Sequence, residues 1–281
     1  MLMMRGRVSS RMTILQRNNV KITGREARLT LVFAHGFGCD QHIWRWVAPV
    51  FEDRFRVVVF DYVGSGKADA LAYTEARYSG LEGYASDVIE VVEALECGPV
   101  VFVGHSVSAM IGVLAAIRRP ELFSHLVLLC PSACYLNHPP EYRGGFERAE
   151  IEGLLDLMDK NPAGWAGFLA PLVMANPERP ELAAELHDSF CKMEPRVARQ
   201  FAEATFFSDN RQDLPNLRKP TLILQCREDA IAGPEVGRFT HEQIAGSRMV
   251  TMDAWGHCPH VSHPVEMIAG MSDYLRAEGL L

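Results

Sequence analysis

The sequence predicts an α/β fold, a mostly parallel, doubly wound sheet with a four-helix cap inserted into it. Three observations carry this. Apolar runs of strand length, rich in Val, Leu and Ile, recur along the chain and hardly alternate, as strands buried on both faces do. Helical patterns separate several of them, the order that gives a parallel sheet with crossover helices. Between Leu129 and Thr221 the alternation lapses into some ninety residues that hold only helical patterns, too long a stretch for a loop inside a compact domain.

The elements follow in order. After Met12, the segment TILQRNNVKITG alternates polar and apolar residues and reads as an edge hairpin turning at Asn18-Asn19. The buried strands are expected at Leu29–Ala34, Arg56–Phe60, Pro99–Val103, His125–Leu129, Thr221–Gln225 and Arg248–Met252. In Ser86–Glu96 the residues Val88, Ile89, Val91, Val92 and Leu95 form a stripe at helical spacing. Val107–Arg118 is a second helix, stopped near Pro120, and His263-Pro264 opens a last one running to about Ala277. The central block divides into helices near Glu147–Lys160, Asn161–Met174, Pro180–Cys191 and Pro195–Phe207. The α/β core is therefore expected over residues 1–135 and 208–281, with the cap over 136–207.

With 281 residues and a 48% hydrophobic fraction the chain can bury an ample core. A net charge of -7 argues against a nucleic-acid binder. No stretch approaches the roughly 20 apolar residues a membrane-spanning helix needs. The N-terminal MLMMRGRVSSR is basic without the apolar core of a signal peptide. It reads as a disordered tail, or as an over-extended start with Met12 the true first residue. Seven scattered cysteines, odd in number and without paired metal spacing, are expected to be reduced thiols in a cytoplasmic protein.

The chemistry-bearing residues sit after the strands. Gly104-His105-Ser106-Val107-Ser108 lies between a strand and a helix, the setting of the nucleophile elbow G-x-S-x-G of the α/β-hydrolase fold. The sharp turn demands small neighbours and presents the serine hydroxyl at a helix N-terminus, which favours developing negative charge. Ser108 replaces the last glycine. His35-Gly36-Phe37-Gly38 follows the first long strand. There the backbone N–H of Phe37 is expected to serve an oxyanion hole together with that of Val107. Asp229 lies just past Thr221–Gln225 and is the expected acid, to orient the histidine. Adjacent Glu228 is its rival, set aside because three residues usually separate strand end and acid. His257 follows Arg248–Met252, and the order Ser, Asp, His is that of this fold. Each feature alone is an ordinary turn or loop residue; the four in order after the right strands define a triad of Ser106, Asp229 and His257.

Two competing motifs fail. His257, His260 and His263 tempt a metal reading, but they lie in a loop with Pro259 and Pro264 and lack the H-E-x-x-H pattern. His260 is expected to hold the loop by hydrogen bonds. Asp61-Tyr62-Val63-Gly64-Ser65-Gly66 lacks a P-loop lysine and the full dinucleotide spacing, so it reads as a structural turn. No metal or cofactor is expected. The pocket is expected to be apolar, with Phe37, Trp44, Val107, Phe146, Trp165, Phe168 and Phe206 as its candidate lining.

The segments HGFGCDQHIW (35–44), FDYVGSG (60–66), GHSVSAMIG (104–112), IRRPELFSHLVL (117–128), YRGGFE (142–147) and GHCPH (256–260) together make the chain resemble the RsbQ-type stress-response regulators of bacteria and the related strigolactone and karrikin receptors of plants. The resemblance runs from Met12 to the last helix, and Ser108 departs from the general hydrolase motif but not from this subfamily. It implies Ser106 as nucleophile, His257 as base, Asp229 as orienting acid, Phe37 and Val107 as oxyanion donors, and a V-shaped cap over a deep apolar pocket. It further implies slow cleavage of small hydrophobic esters or lactones, or sensing of a small ligand. For the bacterial regulator it implies a PAS-domain phosphatase as protein partner. The expectation is therefore a serine esterase or lactonase working through an acyl-enzyme. The alternative is a ligand-sensing regulator that keeps the triad; a pseudo-enzyme scaffold is disfavoured because no triad member is missing.

Overall fold

The computed structural model describes residues 13–281; the expectations for the N-terminal tail and for a start at Met12 lie outside them. Seven strands, β1 (Lys21–Gly24), β2 (Thr30–Ala34), β3 (Arg56–Phe60), β4 (Val100–His105), β5 (Phe123–Leu129), β6 (Thr221–Glu228) and β7 (Arg248–Trp255), form one sheet in the order β1-β3-β2-β4-β5-β6-β7. Only β1 is antiparallel. Every residue of β2 and β4 is buried, which is why these strands read as continuous apolar runs. Strand order reverses between β2 and β4, the place where open α/β sheets bind ligands beyond their C-terminal strand ends.

Core helices α1 (Leu81–Leu95) and α2 (Val107–Arg118) pack on each other and cover one face of the sheet. Between β5 and β6 stand four helices, α3 (Arg148–Lys160), α4 (Pro162–Met174), α5 (Pro180–Cys191) and α6 (Pro195–Phe206). Each starts where the sequence can stop a chain and restart it: α3 has a capping box between Glu147 and Glu150, and α4, α5 and α6 each open on proline. Helix α6 ties this insert to the core by stacking Phe201 on Tyr84 at 4.3 Å. The chain closes through α7 (Pro234–Gln243), the short α8 (Pro259–Ser262) and α9 (Pro264–Ala277).

The expected N-terminal hairpin is corrected. Residues 13–17 are helical, Asn18-Asn19 form its terminating turn, and β1 pairs only with β3. The neighbouring Ile14 and Leu15 both pack towards the core, which a helical turn permits and a strand does not. Arg17 and buried Asn18 then reach Asp87 on α1. The 61–66 turn is structural. Asp61 accepts the N–H groups of Gln41 and Lys67, and Gly66, at φ +53°, sits so close that a Cβ would strike that carboxylate at 2.5 Å. Among the described residues no helix is long and apolar enough to cross a membrane.

Candidate active site

The turn from β4 into α2 holds Ser106 at φ 56° and ψ -121°, a backbone strain that non-glycine residues seldom bear outside functional sites. Small neighbours make it feasible: a Cβ on Gly104 would meet the Ser108 carbonyl at 2.5 Å. Ser108 uses the position left by the usual glycine. Its hydroxyl donates to the His35 carbonyl and is in turn met by the Tyr62 hydroxyl at 2.9 Å. The helix start is thereby tied to the loop after β2. In that loop the His35 ring bonds the Gly36 carbonyl through Nδ1 at 2.9 Å and accepts the Tyr62 N–H through Nε2 at 3.3 Å. Burial holds this ring below its ordinary pKa, so it stays neutral. Gly36 abuts Ser106, since a Cβ there would come within 3.4 Å of the serine Cβ. The Phe37 and Val107 backbones therefore flank the serine from β2 and α2, and Val107, first in its helix, has an N–H with no partner inside the helix.

Ser106, His257 and Asp229 come together in one hydrogen-bonded line. Ser106 Oγ lies 2.7 Å from His257 Nε2, and His257 Nδ1 lies 2.7 Å from Asp229 Oδ2. The other carboxylate oxygen accepts the N–H groups of Ile231 (2.8 Å) and Ala232 (3.0 Å). Burial alone would raise the Asp229 pKa, but His257 and these N–H donors outweigh it and hold the carboxyl below its usual range. Glu228, the rival acid, is solvent-exposed at the end of β6. The geometry can move a proton from the serine to an imidazole whose tautomer the buried carboxylate sets.

The histidine loop is gripped from two sides. His105 donates from Nε2 to the His257 carbonyl at 2.7 Å. On the insert side, the His257 N–H reaches the Val173 carbonyl at 2.7 Å, at the end of α4. Gly256, at φ +81°, passes so near this helix end that a Cβ would meet the Met174 carbonyl at 2.1 Å. The expectation that His260 holds the loop by hydrogen bonds is corrected. Neither of its ring nitrogens has a hydrogen-bond partner among the described residues; the ring is fully buried, tilted against His105 and Trp44 with ring centroids 4.2 Å and 4.6 Å away. It acts by packing. His263 bonds Ser262 instead, so the three histidines face different neighbours.

Ser106 and His257 open on a small cavity of about 40 Å³ between the strand ends and the insert. Phe37, Phe146 and Phe206 line it, with Leu154, Leu169, Val173, Phe190 and Ile231. Four expected lining residues do not. Trp44 is buried below the cavity against Phe33 and His260. The Val107 side chain joins the core beneath the sheet turn, leaving only its backbone near the serine. Trp165 stands behind the wall, edge-on to Phe37 and 5.0 Å from Phe190. Phe168 is 56% exposed, because α4 turns Trp165, Leu169 and Val173 inward at spacing i, i+4, i+8. That spacing was the signal for Leu169 and Val173. Tyr135, whose hydroxyl lies 3.3 Å from Ser106 Oγ, had no periodic signal. Larger clefts of about 550 and 690 Å³ lie on the surface and exclude the triad residues.

Residues 31–270 match the Alpha/beta hydrolase family. A karrikin insensitive 2 receptor of Petunia hybrida is 39% identical over 248 residues, 88% of this chain and 91% of its own. The strigolactone esterase D14 of Arabidopsis thaliana is 36% identical over 92% of this chain and 96% of its own. The solved structure of a hydrolase from Oleispira antarctica is 45% identical, with a TM-score of 0.92 over 95% of this chain and 97% of that one. By sequence and by fold, this chain belongs to the alpha/beta hydrolase family.

Proposed function

We propose that the chain is a serine hydrolase of small, neutral, apolar esters or lactones. Ser106 attacks the carbonyl as His257 takes its proton, the Phe37 and Val107 N–H groups receive the oxyanion, and Asp229 keeps the imidazole in its working tautomer. His257 then protonates the leaving alkoxide and activates water for deacylation. The observation that carries this reading is the unbroken line from Ser106 Oγ through His257 to Asp229, with both links at 2.7 Å, opening on an apolar cavity. Relatives named as esterases support the bond type. Ser106→Ala is expected to lower hydrolysis of p-nitrophenyl acetate by a factor on the order of 10³ or more, with an unchanged melting temperature. Near-normal turnover by this variant refutes the assignment.

A second reading, a ligand-sensing regulator that turns over slowly, is favoured by one feature: the insert holds the His257 backbone directly through Val173, so events at the triad reach the outer helices. Relatives named as receptors are in keeping with it. On the residue resemblance its partner would be a PAS-domain phosphatase. Single-turnover kinetics together with retention of such a phosphatase in a pull-down would establish it; rapid multiple turnover without a partner would exclude it. Seven free cysteines, with the Cys130 and Cys226 thiols hydrogen-bonded at 3.7 Å and not joined by a disulfide, suit the reducing cytoplasm.

A further inference from the structure

Tyr135 lies on the connection that leaves β5 for the insert, 1% exposed, with its ring edge-on to Phe206 at 5.2 Å. Its hydroxyl has one hydrogen-bond partner among the described residues, Ser106 Oγ at 3.3 Å. The direction of that bond follows from the rest of the line. His257 Nδ1 must carry its proton to donate to the Asp229 carboxylate, so Nε2 is bare and accepts the serine hydrogen. The serine hydrogen is thus committed, and Tyr135 is the donor to Oγ. Burial pushes the phenol far above its ordinary pKa, so it remains protonated throughout the working range.

We propose that Tyr135 is a further catalytic residue, a hydrogen-bond donor to the serine oxygen that acts chiefly when the acyl-enzyme breaks down. The inference rests on Ser106 being the nucleophile. In the acyl-enzyme Oγ is an ester oxygen and a weak acceptor. Water adds to the acyl carbon as its proton passes to His257 Nε2. The bond from the acyl carbon to Oγ then breaks, its electron pair goes to Oγ, and the proton on Nε2 follows. As Oγ takes up charge, the hydrogen bond from Tyr135 strengthens, and an interaction stronger in the transition state than before it accelerates the step. In acylation the same bond already exists to the free hydroxyl, so Tyr135 gains less there.

The test is Tyr135→Phe, which removes one oxygen and keeps the ring against Phe206, in the full chain with p-nitrophenyl acetate. The pre-steady-state burst is expected to keep a near-normal rate. Steady-state kcat should fall roughly 10- to 100-fold, the worth of a hydrogen bond to a charging oxygen. KM should fall in parallel, leaving kcat/KM close to the parent value, and intact mass spectrometry should find the acetyl group persisting on Ser106. An acetyl adduct that decays at the parent rate overturns the role of Tyr135 alone, as does an equal loss of kcat and kcat/KM in a variant that melts normally. Absence of any adduct on Ser106 in the parent protein would instead overturn the nucleophile assignment, and the role of Tyr135 with it.

Discussion

Asp229→Asn is the sharpest probe of the proposed triad, because the surroundings of this carboxylate dictate how asparagine must sit. One oxygen faces two backbone donors, the N–H groups of Ile231 and Ala232, and the other faces His257 Nδ1. With the asparagine oxygen towards the loop, both backbone donors are satisfied and its NH₂ faces the imidazole. The reverse orientation sets the NH₂ against two N–H groups in a site buried from water, costing two hydrogen bonds instead of one. The first orientation therefore wins, and an N–H facing Nδ1 requires Nδ1 to be bare, so the ring proton moves to Nε2. His257 can then no longer accept from Ser106. The wrong tautomer costs on the order of 10⁴-fold in kcat in triads of this type, or about 5 kcal/mol of transition-state stabilisation. Initial rates with p-nitrophenyl acetate, beside a thermal melt to show the fold intact, measure it. Glu228→Gln, at an exposed position, should change little. If the Glu228 variant is dead and the Asp229 variant works within tenfold of the parent, the reasoning about this strand end is wrong.

Acid should destabilise the protein before the carboxylates titrate. His35, His105 and His260 are all held neutral by burial, His105 down to about 3. The unfolded chain, with histidine near 6.5, binds protons that the folded state refuses, so stability is complete above about pH 6.5 and falls from there towards 3. At pH 5 His105 alone accounts for about 2 kcal/mol, and a melting temperature unchanged between pH 7.5 and 5 would contradict this. Substrates bearing a free carboxylate should be cleaved with kcat/KM on the order of 100-fold below neutral analogues, because among the described residues no Lys or Arg lines the cavity to compensate a desolvated charge; equal rates for an acetate ester and its hemisuccinate counterpart would count against the apolar site.

The parts of this molecule legible in its sequence are those where one physical demand acts on each residue. Strands β2 and β4 are buried throughout and β3, β5 and β6 over most of their length, so composition alone marks them, and Gly104 beside Ser106 is required by backbone contact. Legibility fails where two demands compete. The segment from Thr13 to Gly24 alternates over its second half, yet its start breaks the pattern, with neighbouring Ile14 and Leu15 both packing towards one core. Helix α7 buries only Val236, Gly237 and Thr240, too thin a stripe to stand out. Phe168 is aromatic in an apolar helix but lies about 100° round from Leu169, on the exposed side, and aromaticity alone does not select a face. Tyr135 sits on a connection without periodicity, and only the fold shows that it meets the serine.

The volume of the site makes a demand on the insert. The cavity holds about 40 Å³, little more than the room of one water molecule, whereas pockets for small organic ligands run from about 300 Å³ upward. An ester that reaches Ser106 must therefore displace something. The floor is made of the turns beyond the buried strands, Phe37, Cys39, His105, Ser106, Ile231 and His257, so the wall taken to yield is the helical insert, through Leu154, Leu169, Val173 and Phe190. Helix α4 cannot shift freely, because Val173 holds the His257 N–H and Gly256 runs against the Met174 carbonyl. Helix α5 is likewise bonded to the loop after β2, where Ser189 donates to the Gly38 carbonyl at 2.6 Å. Opening the cavity thus loads both the His257 loop and the loop after β2, and a ligand moves the insert only by its differential affinity for the two arrangements. The expected outcome, measured by hydrogen exchange after stoichiometric labelling of Ser106 with a serine-reactive phosphonate, is altered protection across residues 136–207, greatest at the α4 end, with β2, β4 and β5 unchanged. Identical exchange across 136–207 in fully labelled protein would show that the insert does not respond to an occupied site, and the chain would then act as a plain hydrolase whose ligands enter by another route.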